Sequence, residues 1–404
     1  MKIVNRNTII AFILFFFLSC KAQEFKIAYK SMQNSTIQTA AEQTEKYLPL
    51  LKNKQLAIVA NPTSMIGNIH LVDSLLSLGL QIKKVFSPEH GFRGEQEAGE
   101  SVQNLVDSKT KLPLISLYGD NKKPKLSDLQ GIELIVFDIQ DVGARFYTYI
   151  STLHYVMEAC AENNITLLIL DRPNPNGYYM DGPVLEKKFI SFVGLHPIPI
   201  VHGMTIAEYA SMINGEKWLK KGIQCKLQII KVKNYNHNYY YALPIKPSPN
   251  LITMSAIYLY PSLCLFEGTT VSVGRGTMKP FQLLGNPNLD STYFSFTPKA
   301  IKGMSAEPLY KNKKCFGYDL SDYSTNIIKI EKKINLFWLI DLYKRLSPKG
   351  EFFTPFFDKL AGNDELRKQI IAGKTEEEIR QSWQADLKKF KQIRKKYLLY
   401  IDFE

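Results

Sequence analysis

Residues 132–143 read IELIVFDIQDVG. From Ile132 to Phe137 only Glu133 interrupts an apolar, branched and aromatic run. A strand with one wet face alternates polar and apolar residues. A near-continuous apolar run this short belongs to a strand buried on both faces. The run stops at Asp138, and Gln140 and Asp141 follow, polar groups that a buried strand cannot use.

The same form recurs along the first half of the chain. QLAIVA (55–60) leads into NPTSMIG, and IKKVF (82–86) into SPEHGFRG. PLISLYG (113–119) and ITLLILDRPNP (165–175) repeat it. Between these runs, IHLVDSLLSLG and TYISTLHYVMEACAENN carry apolar residues at helical spacing. Strands alternating with helices predict an α/β, Rossmann-like parallel sheet covered on both faces. Such sheets hold ligands in the crevice beyond the C-terminal ends of their strands. That rule gathers Asn61, Glu89, His90, Tyr118, Asp138, Gln140, Asp141, Asp171, Arg172 and Asn174 along one edge. No Gly-x-Gly-x-x-Gly follows an early strand and no Walker motif occurs, so no nucleotide cofactor is expected.

Beyond the sheet the pattern changes. HGMTIAEYASMING opens a helix at Thr205, and Thr205 and Glu208 have the spacing of a capping box. Glu208 therefore reads as a cap and not a catalyst. CKLQIIKVKNY alternates like a strand, and the following stretch is crowded with prolines and aromatics. The expected division is a Rossmann-like catalytic domain over 26–247 and a smaller C-terminal auxiliary α/β domain over 248–404. The active cleft is expected between them, and a last helix over 376–396.

Lys2 and Arg6 precede the short apolar run TIIAFILFFFLS. Residues 1–19 thus read as a signal peptide, too short to span a membrane. Cys20 directly follows Ser19, as in the lipobox of bacterial lipoproteins, and a lipid on Cys20 would hold the chain to a membrane. The other reading is plain cleavage near Ala22. Both export the protein, to the periplasmic face of a bacterial membrane or to the soluble periplasm.

Four cysteines remain, Cys160, Cys225, Cys264 and Cys315, with no Cys-x-x-Cys pair. Separate buried thiols are expected. The six histidines form no close ligand pair, so no metal site is expected. Net charge is +13, or about +11 without Lys2 and Arg6. The lysines are scattered or alternate with acids, as in GKTEEEIRQSWQADLKKFKQIRKK. That suits a solvated helix face, and with export it argues against a nucleic-acid partner. An anionic surface or an acidic substrate fits better.

The stretch SPEHGFRG concentrates the chemistry. Pro88 restricts the backbone before Glu89, while Gly91 and Gly94 permit sharp turns after it. A carboxyl group held this way can donate to a leaving oxygen; the structural rival is a salt bridge with Arg93. His90 can orient Glu89 or bond a sugar. Arg145 can clamp a carboxylate through its fork or pair with the neighbouring acids. Tyr147 can stack on a sugar face or pack. Asp171 and Arg172 can pair, Asn174 can contact ligand, and His202 precedes the capped helix. Glu267 and Arg275 form a second concentration, in LFEGTTVSVGRGTMKPF. No Gly-x-Ser-x-Gly elbow occurs, and no histidine is placed to activate Cys264.

Carboxylates with arginines and aromatics in an exported protein point to glycan chemistry. Glycoside hydrolysis needs an acid and commonly a second carboxylate, whose distance decides the stereochemical outcome. Glu89 reads as the acid. Asp138, Asp141, Asp171 and Glu267 remain open for the second role, as does assistance from a substrate acetamido group.

The runs PEHGFRG, DIQDVGARFYTYISTL, DRPNPNG, HGMTIAEYA, YPSLCLFEGTTVSVGRGT and SWQADLKKF together resemble the bacterial exo-β-N-acetylmuramidase family, in the family's order and over about residues 28–404. The resemblance implies a Rossmann-like domain and a smaller α/β domain with a cleft between them. It also implies release of a non-reducing terminal N-acetylmuramic acid from muropeptides or MurNAc–GlcNAc disaccharides. It carries the family's glutamate to Glu89 and its arginine to Arg145. His202, Glu267 and Arg275 fall on further family motifs. Asn61, His90, Arg93, Tyr147, Asp171 and Asn174 are expected to bind substrate. Family members often have Asn after Glu-Gly-Thr; Thr270 stands there in this chain. The rival expectations are an inactive muropeptide-binding lipoprotein and a cell-wall amidase or esterase.

Overall fold

The computed structural model describes residues 36–93, 105–291, 294–323 and 328–404. The leader, Cys20 and Gly94 lie outside the described residues. The first half builds a seven-stranded sheet around β1 (Leu56–Ala60). A small hairpin, β2 (Met65–Ile66) and β3 (Ile69–His70), follows β1. The sheet continues with β4 (Ile82–Ser87), β5 (Leu105–Val106), β6 (Pro113–Ser116), β7 (Leu134–Asp138), β8 (Thr166–Leu170) and β9 (Lys226–Ile230). Its order is β5-β6-β4-β1-β7-β8-β9, parallel except for edge strand β5. The chain winds outward from β1 to β6, then returns to lay β7 on the other side of β1. This is the doubly wound topology that opens a crevice at the strand C-termini.

The apolar runs have a direct physical cause. Ala57, Val59, Ile135, Phe137, Leu167 and Ile169 enter one core cluster. Leu56, Ile58, Leu134, Val136, Leu168 and Leu170 enter the other. Successive side chains on a strand point to opposite faces, so a sheet dry on both faces needs apolar residues at every position.

After the helix Met254–Leu263, strands β10 (Leu283–Asn286), β11 (Phe294–Phe296) and β12 (Cys315–Asp319) form an antiparallel sheet in the order β10-β12-β11. Phe266, Phe281, Trp338, Phe357 and Phe390 join the cluster that covers Phe137 and Ile169. The C-terminal half thus shares a core with one face of the large sheet.

The capping box expected at Thr205 is present. Thr205 N donates to Glu208 Oε2 at 2.9 Å and Glu208 N to Thr205 Oγ1 at 3.4 Å, at the start of the helix Ile206–Gly215. The single helix expected over 376–396 is instead two, Glu376–Ser382 and Gln384–Arg394, broken at Trp383. Ile379, Trp383, Leu387 and Phe390 keep the spacing of one helical face across the break, and all four are buried in the core. Cys160, Cys225, Cys264 and Cys315 are free and buried.

Candidate active site

One wall of a cavity lined by both Glu89 and Glu267 is built where β4 ends. A turn closes with Gly91 N donating to Pro88 O at 3.1 Å, and His90 takes φ +72°. A non-glycine residue in this region costs of order 1 kcal/mol and persists only where its surroundings demand it. The turn brings Glu89 and His90 to the cavity. Thr148 Oγ1 donates to Glu89 Oε2 at 2.8 Å from the N-cap of the helix Tyr149–Glu162. Tyr118, just past β6, approaches the same carboxylate. Burial, with the charge of Glu89 adding to it, pushes the Tyr118 phenol above its ordinary pKa.

The facing wall comes from the C-terminal half. Pro261 sits inside the helix Met254–Leu263. It has no N–H, so the Ile257 carbonyl one turn earlier loses its helical donor. Asn176 Nδ2 supplies one at 3.1 Å while also bonding Val142 O at 2.8 Å. The proline is thereby tolerated and the helix is tied to the loop after β7. This helix runs into the tight turn Cys264–Gly268, which presents Glu267. Arg275 lies between Gly274 (φ +77°) and Gly276 (φ +78°), where a Cβ would meet Lys279 O at 2.8 Å and Pro308 Cγ at 2.5 Å. Glycine on both sides lets the chain fold tightly enough to return Arg275 to Glu267.

Arg275 Nε donates to Glu267 Oε1 at 2.6 Å, and Cys264 Sγ lies 3.6 Å from Glu267 Oε2. The guanidinium carbon stands 5.0 Å from the centre of the Phe281 ring. About a quarter of each side chain in the pair is exposed, 26% for Arg275 and 24% for Glu267. Burial opposes the charge on Arg275, yet the pairing with Glu267 holds its pKa above the usual value. Burial raises the Cys264 thiol well above its usual range, so it stays protonated and is no nucleophile. Among the described residues no hydrogen bond engages Arg275 Nη1 or Nη2, which leaves that edge for a ligand. The enclosed volume is about 540 Å³. Phe146, Tyr147, Phe192, Tyr260 and Phe356 give it aromatic walls. A few polar groups on an aromatic surface suit a sugar, whose faces are apolar and whose rim is polar.

Two family profiles match consecutive parts of the chain. One, described as exo-beta-N-acetylmuramidase NamZ, N-terminal, covers residues 56–255; the other, the C-terminal part of the same family, covers 258–400. The chain belongs to the NamZ family. A relative from Bacillus subtilis (strain 168), peptidoglycan beta-N-acetylmuramidase NamZ, is 40% identical over 373 residues, 88% of this chain and 89% of its own. Two crystal structures of DUF1343 family proteins from Bacteroides fragilis NCTC 9343 share the fold. One has a TM-score of 0.85 at 50% identity over 91% of this chain and 100% of its own. The second has a TM-score of 0.76 at 27% identity over 90% and 99%.

In this NamZ-family chain, Glu89, His90, Tyr147, Glu267 and Arg275 meet at one cavity. The other expected site residues lie off it. Arg172 Nε and Nη2 donate to the two oxygens of Asp138 at 2.6 and 2.9 Å, deep in the sheet edge. Asp141 Oδ2 accepts from Gly143 N at 2.6 Å and lies 3.7 Å from His202 Nε2. His202 Nδ1 accepts from Met204 N at 3.3 Å. Asn61 Oδ1 accepts from Thr63 N and Oγ1 at 2.9 and 2.5 Å. Asn174 accepts from Asn176 N at 2.8 Å and donates to Met204 O at 2.9 Å. Arg93 pairs with Asp107 and Asp73, at 2.8 and 3.0 Å, and not with Glu89.

Asp171 accepts from Ala207 N at 3.0 Å and from the Tyr400 hydroxyl at 2.5 Å, and burial pushes its pKa up to about 7. Arg145 is fully buried and spends both Nη groups on backbone carbonyls, so it is no clamp for a ligand in the cavity. Burial lowers its pKa to about 9, which still leaves it charged at neutral pH. The strand-end rule points to the edge of the sheet where the cavity lies. Most polar groups there close turns, because abrupt strand exits leave backbone donors that need acceptors. Thr148 and Tyr260 escaped the sequence reading. A lone hydroxyl at a helix start and an aromatic before a proline carry no local mark of a site. Tyr118 was visible only as a polar strand-end residue.

Proposed function

We propose that this chain is an exo-β-N-acetylmuramidase that hydrolyses the glycosidic bond of a non-reducing terminal MurNAc on peptidoglycan fragments such as MurNAc–GlcNAc. The observation that carries the reading is the meeting of Glu89 and the Glu267–Arg275 pair, from the two halves of the chain, at one aromatic-walled cavity. Family membership supports it.

Glu89 in its protonated form gives its proton to the departing glycosidic oxygen, and Thr148 holds the carboxyl in place. Glu267 is the second carboxylate, facing the sugar as positive charge develops at its anomeric carbon; a water supplies the hydroxyl that this carbon takes up, and its proton restores Glu89. Arg275 compensates Glu267 through Nε and offers Nη1 and Nη2 to the lactyl carboxylate that distinguishes MurNAc from GlcNAc. Tyr147 presents only its ring, because its hydroxyl donates to Pro247 O at 2.9 Å. His90 contacts the sugar from the same turn as Glu89. The decisive experiment incubates the protein with defined MurNAc–GlcNAc and identifies products by mass and anomeric form. Free MurNAc and a new reducing end support a glycosidase. Released amine or acid, with the glycosidic bond intact, would replace it with an amidase or esterase, and binding without turnover with a muropeptide-binding protein.

The proposal extends to the cell surface. Cys20, following an apolar leader, carries a lipid that holds the enzyme at the periplasmic face of a bacterial membrane, where cell-wall fragments are released. Replacing Cys20 by Ser should move the protein from the membrane to the soluble fraction; unchanged membrane retention would count against the anchor.

A further inference from the structure

We propose that Arg145 is a positioning residue that holds the C-terminal wall of the cavity against the N-terminal wall. The proposal rests on the glycosidase reading for its kinetic consequences only. Arg145 lies next to Phe146, Tyr147 and Thr148, all at the cavity. Its Nη1 donates to Pro183 O and Ile198 O, both at 2.8 Å. Its Nη2 donates to Leu360 O at 2.9 Å and Ala361 O at 2.7 Å. The last two are C-terminal carbonyls of the helix Phe356–Ala361, groups that no following turn can satisfy. Phe356 and Leu360 of that helix line the cavity. One planar fork therefore ties the loop segment 183–198 and the segment bearing Tyr147 to a helix of the opposite wall.

Three further observations point the same way. Among the described residues Arg145 donates to no carboxylate, and its buried charge is held by carbonyl dipoles, including those of a helix C-terminus. Gly362, just past the helix, has φ +84°, and a Cβ there would stand 2.5 Å from Arg145 Nη2. The chain can leave the helix and still admit the guanidinium only with glycine at this position. Finally, Glu186 N donates to Gly362 O at 2.8 Å, a second tie between the same two segments. A lysine cannot replace the fork, because one ammonium cannot reach carbonyls set at both ends of a guanidinium.

The test compares wild type with Arg145→Lys, Arg145→Gln and Gly362→Ala. Gly373→Ala is the control: Gly373 also follows a helix, with φ +73°, but a Cβ there meets nothing within 4 Å. It imposes the same backbone strain without displacing a guanidinium. Misplacing a wall by about 1 Å is expected to lower kcat/KM for MurNAc–GlcNAc by roughly 10- to 100-fold in Arg145→Lys, Arg145→Gln and Gly362→Ala. Gly373→Ala should stay within about twofold of wild type. The ratio of the inhibition constants for free MurNAc and GlcNAc should be unchanged, since Arg145 touches no sugar. Full activity in folded Arg145→Lys overturns the proposal, as does a lost MurNAc preference. If the Arg145 variants do not fold, Gly362→Ala decides alone, and activity equal to Gly373→Ala overturns the proposal. Amide exchange over Phe356–Ala361 should quicken in Gly362→Ala and not in Gly373→Ala. That measurement stands even if wild type releases no sugar, an outcome that sinks the glycosidase reading instead. Unchanged exchange sinks the positioning role.

Discussion

Glu89 reaches the cavity because one residue beside it, His90, accepts a left-handed backbone at φ +72°. The proline and glycine around it announce a turn, and the sequence shows that much. Which way the carboxylate points depends on Thr148, 59 positions later, whose hydroxyl bonds it. We expect Glu89→Gln to keep the fold and to lower MurNAc release by at least roughly 100-fold, the scale of a lost general acid. Release within threefold of wild type would dismiss Glu89 from the chemistry. Thr148→Val removes only the hydroxyl that orients Glu89. It should lower kcat several-fold while the melting temperature changes little, measured by steady-state kinetics and calorimetry. Arg275→Gln tests specificity. If its outer nitrogens meet the lactyl carboxylate, a charge-assisted bond worth about 1.5–3 kcal/mol is lost. The affinity advantage of MurNAc over GlcNAc should then shrink by roughly tenfold or more; an unchanged ratio assigns the carboxylate to another group.

Elements were legible where their signal is local. The parallel strands announce themselves because both faces must be apolar, and the helix Ile206–Gly215 because its cap is written in two residues three apart. The break at Trp383 was not legible, since the apolar stripe of Ile379, Trp383, Leu387 and Phe390 runs through it without interruption. Glu208 shows how an element's end becomes a structural hub. Its Oε1 accepts from Leu399 N at 2.8 Å and lies 3.0 Å from His237 Nε2, while Oε2 serves the cap. Removing one member of such a buried group commonly costs about 3–5 kcal/mol. Glu208→Ala should therefore lower stability by that order in chemical denaturation, with kcat of the folded fraction retained. A loss of kcat without a loss of stability would make Glu208 a catalyst after all.

Across the whole molecule, two sheets and the helices of both halves share one core, so the halves are not expected to melt separately. Asp171 joins distant parts of this body: its carbonyl accepts from Ala40 N, and its carboxyl from Ala207 N and Tyr400. Its folded pKa is raised by burial from 3.8 to about 7. A folded state that binds the proton more tightly gains stability at low pH and loses that contribution as pH rises through 7. The carboxylates held low, such as Asp107 beside Arg93, act in the opposite sense in acid. Comparing Asp171→Asn with wild type isolates the Asp171 contribution. The variant should gain melting temperature relative to wild type between pH 5 and pH 8, and a constant difference across that window would refute the buried titration.

The chain's residues by themselves determined the doubly wound α/β class, the edge of the sheet that carries the cavity, the Thr205 cap and Glu89's turn. Each of these is a local requirement: a dry face, a strand exit, a capped end, a bent backbone. Only the tertiary structure decided that Glu267 and Arg275 stand in the same cavity as Glu89, and that Arg145, Asp138 and His202 do not. The reason is that a polar residue at a strand end meets two demands alike, satisfying the backbone or facing a ligand. The packing of distant segments determines which demand it meets.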